Sequence, residues 1–193
     1  MVKNISILIL LGLVVFLLFA LGRTTNHSDI AFDIGFYQTL SYDYRSLIKQ
    51  DQTRFLCDDI VIVDSNDSII AYKSVFDKRK LVVRYSNLDC NVCVDSIIKY
   101  SKLLATDIGR DKIVVCAKYD NKRDFHLLSR INKNVLDIYK VDDTLLNLDD
   151  KGTPYMFVIN DDNTISHVFI PHKEYPNLMM WYFDVVKKYL IAN

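Results

Sequence analysis

From about position 58 onward the hydrophobic pattern of this chain switches repeatedly between a strand period and a helix period. Apolar runs at 60–63 and 68–72, separated by Asp64-Ser65-Asn66-Asp67, predict a hairpin. The run at 81–85 starts as an unbroken apolar stretch, as strands covered on both faces do, and 113–117 reads the same way. After position 93, Val94, Ile97, Ile98, Leu104, Ala105 and Ile108 trace one helix face, with Gly109 as its stop. A second helix is expected around 124–132, burying Phe125, Leu128 and Ile131, followed by a strand at 135–141. This strand, helix, strand alternation implies parallel crossovers. Beyond a short segment at 144–148, the runs 155–159 and 164–170 around a polar turn at 160–163 predict an antiparallel hairpin. A last helix is expected from about Asn177, with Leu178, Trp181, Tyr182, Val185 and Tyr189 on one stripe.

The first 22 residues differ in kind. Positions 5–22 carry no charge and are interrupted only by Ser6 and Gly12, so the segment belongs in a membrane. Its length is at the short end for a spanning helix and exceeds most signal-peptide cores, which favours an uncleaved anchor. The small-x-small form of Ala20-Leu21-Gly22 keeps a cleaved signal, and hence a secreted product, as the alternative. No cysteine follows directly, which excludes a lipid-modified N-terminus there. Either way the remainder is expected to be exported, and Lys3 and Arg23 flank the run too evenly to set orientation. Residues 23–57 form a polar, aromatic-rich connector in which Phe36, Leu40, Tyr44, Leu47 and Ile48 fall at helical spacing. The expected organisation is thus a membrane segment at 1–22, a connector with a helix at 23–57, and one domain at 58–193.

Charge narrows the class of partner. Lysine and arginine number 24 against 24 acidic residues, with no long stretch of one sign, so no nucleic-acid surface is expected.

The chemistry concentrates in Cys90-Asn91-Val92-Cys93, between an apolar strand and a predicted helix. At a helix N-terminus the exposed N–H groups and the positive end of the dipole favour thiolate, the form that attacks disulfides. A purely structural clasp is a weak reading, because an i, i+3 bridge closes too small a loop to restrain the unfolded chain much. A zinc site lacks a second cysteine or histidine pair at ligand spacing, and no metal is expected. Cys116, in the apolar run at 113–117, reads as a buried core thiol. Cys57, ahead of an acidic pair, is open to either a free or a paired state. The four histidines, His27, His126, His167 and His172, need no functional role.

With a dithiol at the first strand-to-helix junction, parallel crossovers, a hairpin and a terminal helix, residues 58–191 resemble the thioredoxin fold. More specifically, the chain resembles the membrane-anchored, TlpA-like thioredoxins of bacterial envelopes. Two motifs carry the likeness: Cys90-Asn91-Val92-Cys93, and Gly152-Thr153-Pro154 ahead of an apolar strand. The resemblance implies an α/β fold with a central mixed sheet flanked by helices, an N-terminal hairpin, a central insertion and an N-terminal membrane helix. It implies that Cys90 is the nucleophile and Cys93 the resolving thiol, that Pro154 follows a cis bond facing the dithiol, and that Thr153 exposes backbone to a substrate peptide. The function implied is extracytoplasmic thiol-disulfide exchange with thiols or disulfides of exported proteins, in the periplasm or outside the cell. No bound cofactor is implied, and a membrane electron donor would supply a reductase. A thioredoxin-fold module that binds partners without turnover is the alternative.

Three departures from the family pattern bear on the chemistry. Asp89 stands where most thioredoxins have tryptophan, Asn91-Val92 replaces the usual dipeptide, and Arg84 occupies the strand position of a proton-shuttling carboxylate. Asp89 is expected to raise the neighbouring thiol's pKa, and Arg84 to lower it if it points at the site.

Overall fold

The computed structural model describes residue 55 and residues 60–149 and 152–192. The apolar run at 5–22, Cys57 and the connector apart from Phe55 lie outside the described residues. No helix among the described residues is long and apolar enough to cross a membrane.

Seven strands form one mixed sheet. In chain order they are β1 (Ile62–Val63), β2 (Ile69–Ile70), β3 (Lys80–Ser86), β4 (Ile113–Lys118), β5 (Asp137–Val141), β6 (Tyr155–Ile159) and β7 (Ile165–Phe169). They lie side by side in the order β2-β1-β5-β4-β3-β6-β7. The helices are α1 (Tyr72–Val75), α2 (Asn91–Ile108), α3 (Lys122–Asn132) and α4 (Pro176–Ile191). β3 pairs parallel with β4, and β4 with β5, while β6 lies antiparallel to both β3 and β7. The two crossovers and the closing hairpin implied by the sequence pattern are therefore present. The initial hairpin is shorter than expected, because the chain leaves β2 at Ala71 and makes a single helical turn, Tyr72–Val75.

The unbroken apolar runs of β3, β4 and β6 follow from burial on both faces of the sheet. One face carries Leu81, Val83 and Tyr85 of β3 with Val115 and Ala117 of β4, packed under α2, α3, which contributes Phe125, and α4. The other carries Val82, Val114, Cys116, Tyr155 and Phe157, covered by Phe55, α1 and the 145–148 segment. Phe55 anchors the incoming chain there: its N–H donates to the Asn163 carbonyl at 2.8 Å, and its ring meets Tyr72, Phe76 and Phe157 at 5.5–5.9 Å.

Two predicted helix faces are rotated in the structure. α3 buries Phe125, Ser129 and Asn132 and leaves Ile131 66% exposed. α4 buries Met179, Tyr182, Phe183, Val186 and Leu190, with Trp181 63% exposed. The run 178–183 is apolar all the way round the helix, so periodicity alone could not choose between neighbouring stripes, and contact with α2 and the sheet does.

α2 ends where expected. Gly109 adopts φ 100°, and its N–H donates to the Ala105 carbonyl at 3.0 Å. A Cβ there would stand 2.6 Å from Asp111 Oδ1. Gly109→Ala should therefore lower stability by about 1–2 kcal/mol, read from urea denaturation, because it adds left-handed backbone strain and a clash to the exit of α2.

Candidate functional site

The site is made by the way β3 becomes α2. β3 ends at Ser86, and Asp89 then folds its carboxylate back: Ser86 N–H donates to Oδ2 at 2.7 Å and Ser86 Oγ to Oδ1 at 3.0 Å. The Asn87 N–H meanwhile donates to the Lys118 carbonyl at the end of β4 at 3.0 Å. These bonds close the turn and deliver Cys90 as the N-cap of an 18-residue helix. Asp89 is buried in this role, so its first duty is to shape the junction.

Cys90 and Cys93 are both free thiols, and their surroundings differ. Cys90 is partly exposed, while Cys93 is only 5% exposed. The Cys90 sulfur makes no capping hydrogen bond of ordinary geometry. The Cys93 backbone N–H beside it, then the Cys93 thiol, with further help from the Val92 N–H and the charge of Lys173, nevertheless hold its pKa below the ordinary thiol value. Cys93 moves the other way, up to about 11, first because burial penalises its thiolate, then through the hydrogen bond and charge of Cys90 and the charge of Glu174. One sulfur is thus prepared to ionise at a pH where the other keeps its proton. Leu88 and Val92 surround the junction as exposed apolar side chains.

Lys173 and Glu174 reach the dithiol from the loop between β7 and α4, with their charged groups 3.8 Å apart. Nothing in the sequence pointed to them, since they are charged loop residues about 80 positions from the cysteines.

Arg84 does not point at the thiols. It lies on the opposite face of β3, shared with Val82, where Nε donates to Asp149 Oδ1 at 2.7 Å, Nη1 to the Val141 carbonyl at 2.6 Å and Nη2 to the Asp143 carbonyl at 3.0 Å. Asp149 also accepts from the Leu145 N–H and the Tyr155 hydroxyl. The expected influence of Arg84 on Cys90 is therefore replaced by a structural role, fastening the segment after β5 to the centre of the sheet. The reason is the strand's two-residue period: Tyr85 and Arg84 must face opposite ways.

The Gly152-Thr153-Pro154 motif enters β6. Tyr155 pairs with Arg84, so the antiparallel register carries Pro154 toward the end of the sheet from which Ser86 leads to Cys90. Thr153 is half-buried and Pro154 buried. The expected cis bond is not there: no peptide bond among the described residues is cis. The trans isomer is the lower-energy form of an X-Pro bond, and Gly152 at φ 62° contributes the turn into β6. Cys116 is fully buried in β4 on the face away from α2, as expected of a core thiol.

No family model and no curated protein matches the chain. Among solved structures it is similar to a thiol:disulfide interchange protein from Bacteroides sp., with TM-score 0.48 and 10% identity over 70% of this chain and 92% of that one. The bacterioferritin comigratory protein of Xanthomonas campestris, described for its alkyl peroxide reduction activity, gives 0.47 and 10% over 70% and 92%. The pneumococcal exposed lipoprotein thioredoxin of Streptococcus pneumoniae gives 0.44 and 14% over 66% and 98%. At these values any activity of this chain has to be argued from its own residues.

The placement of Arg84 is open to test. Arg84→Met should cost about 3 kcal/mol or more in urea denaturation, because it leaves the Asp149 carboxylate and two carbonyls without their guanidinium. The pH profile of Cys90 alkylation should stay where it is. A shifted profile would mean that Arg84 acts on the thiols after all.

Proposed function

We propose that this protein performs thiol-disulfide exchange through Cys90 and Cys93, acting on exported proteins outside the cytoplasm while tethered by its N-terminal apolar segment. The observation that carries this reading is the opposed shift of two thiols one helical turn apart, one half-exposed and pushed toward thiolate, the other buried and held protonated. A structural pair would need neither property.

The reductive direction balances as follows. Cys90 Sγ, as thiolate, attacks one sulfur of a partner's disulfide, forming a mixed disulfide and releasing the other sulfur as thiolate. Two of the causes that raise the Cys93 pKa, its hydrogen bond to Cys90 and the charge on Cys90, vanish at that moment, and only burial and Glu174 still oppose ionisation. Cys93 then gives its proton to the partner's first released thiolate, directly or through water, and attacks Cys90 Sγ, forming the Cys90–Cys93 disulfide and expelling the partner's second thiolate. Two electrons have passed from the dithiol to the partner. The oxidative direction is the same path reversed, and the reduction potential of the pair decides between them. Regeneration of a reductase would call on a membrane electron donor. Thr153 and the backbone around Pro154 lie at the same end of the sheet, where the loop is suited to lie alongside a partner's backbone. The dithiol supplies the whole of this chemistry without a cofactor.

Two measurements test the assignment. In a disulfide exchange assay with the full chain, Cys90→Ser should abolish turnover, whereas Cys93→Ser should accumulate mixed disulfides with its partners. Capture by Cys90→Ser and none by Cys93→Ser would reverse the roles.

Iodoacetamide alkylation of the reduced protein near neutral pH should modify Cys90 and spare Cys93 and Cys116. Because only the thiolate reacts, the rate at Cys90 should climb with pH and reach half its maximum below the ordinary thiol value of 9.0, while that of Cys93 reaches its midpoint only near about 11. Cys93→Ala removes the neighbouring thiol donor and should move the Cys90 profile to higher pH. An unmoved profile would assign the lowered pKa to the helix terminus alone.

A further inference from the structure

A groove of about 720 Å³ runs between α2 and α3, and it opens beside Asn91, the residue next to Cys90. Val94, Ile98 and Leu103 form one wall, Leu128 and Ile131 the other. Leu103 and Ile131 are more than half exposed. The α3 face that reaches the core carries Ser129 and Asn132 beside Phe125, and Ile131 is left exposed in the lining of the groove.

Two further observations point to an occupant. Tyr85 and Asn132 both line the groove, are 2% and 3% exposed, and leave Tyr85 Oη and Asn132 Oδ1 without a hydrogen-bond partner. The Tyr119 ring lies edge-on to Tyr85 at 6.2 Å, and its phenol is a polar neighbour of that hydroxyl short of a well-formed hydrogen bond, so Asn132 Oδ1 is the more completely orphaned of the two. Buried polar groups are normally paired, and each orphan is costly. Second, Lys99 and Lys102 line the groove with Asp95 as the carboxylate among the lining residues, and neither lysine makes an ion pair among the described residues. Asp95 lies in the second turn of α2.

From these features we infer that the groove between α2 and α3 receives an extended segment of the partner protein, one carrying apolar side chains interspersed with acidic ones. An extended backbone offers both kinds of hydrogen-bonding group, donors for Asn132 Oδ1 and either kind for Tyr85 Oη. Apolar side chains fill the space between Val94, Ile98, Leu128 and Ile131, and carboxylates meet Lys99 and Lys102. Exposed Val92 and Leu88 continue the apolar path to Cys90, so a segment seated in the groove leads toward the thiol. Its role in substrate choice rests on the exchange function proposed above; the binding itself does not.

Three fluorescein-labelled synthetic peptides without cysteine serve as probes: one alternating leucine or phenylalanine with glutamate or aspartate, one with lysine in place of the acids, and one with serine in place of the apolar residues. Anisotropy titrations with the reduced full chain should show the acidic apolar peptide binding at least about tenfold tighter than either other peptide, with affinity falling as salt rises. Lys99→Glu with Lys102→Glu should erase the preference for acids, and Ile131→Asp should weaken binding about tenfold; retained circular dichroism would show that each variant is folded. Equal binding of the three peptides, or acidic-peptide binding untouched by these variants, would overturn the proposal. So would a dimer of the chain dissolved by Ile131→Asp with no peptide bound, which would give the groove to a second copy. Hydroxyethyl disulfide reduction by the unaltered protein is measured in parallel. Exchange without peptide preference removes the groove alone, and peptide preference without exchange removes the dithiol reading alone.

Discussion

A strand buried on both faces has to become a solvent-facing helix within four residues, and the chemistry of this protein depends on how that junction is made. β3 sits between β4 and β6, so its end cannot shift without disturbing the ladders on either side. Asp89 closes the turn through both hydrogen bonds to Ser86, and Asn87 ties it to β4. The rigid strand thereby aims the helix, and the helix start holds Cys90 at the boundary between core and solvent. A tryptophan at position 89 could not supply those bonds.

The two faces of the sheet serve different ends. The face under α2, α3 and α4 supports the dithiol helix and leaves the groove beside it. The other is closed by aromatic packing around Phe55 and by the buried Arg84 guanidinium, which satisfies one carboxylate and two carbonyls at once. Desolvation is the largest single influence on that charge and opposes it, and the hydrogen bond and charge of Asp149, with smaller contributions from Tyr155 and Cys116, together outweigh it, so the guanidinium stays charged. The result is a fixed path for the segment between β5 and β6, and hence for the Gly152-Thr153-Pro154 approach to the sheet.

The asymmetry of the dithiol comes from depth. Both sulfurs lie in the first turn of α2, but Cys93 turns into the core while Cys90 stays at the rim, so burial acts on one thiol and the backbone N–H groups of the turn act on the other. In the proposed exchange this asymmetry would order the steps: the Cys93 thiol that favours the Cys90 thiolate would give up its proton only after Cys90 had been consumed by a partner.

The order of elements was legible in the sequence because strands and helices have different hydrophobic periods, and because Gly109 and the apolar runs at 81–85, 113–117 and 155–159 mark their own ends and burial. The dithiol was legible for a similar reason, since its spacing and its place after a strand are local properties. The helix faces of α3 and α4 were not: Trp181 belongs to a run apolar all the way round its helix, and α3 turns Ser129 and Asn132 inward beside Phe125 while Ile131 faces out, a choice made by packing against the sheet. Nor could the sequence orient Arg84 or bring Lys173 and Glu174 to the thiols. Those features depend on which face of a strand a residue takes and on what the chain brings back from 60 to 80 positions away, and tertiary contact alone decides them.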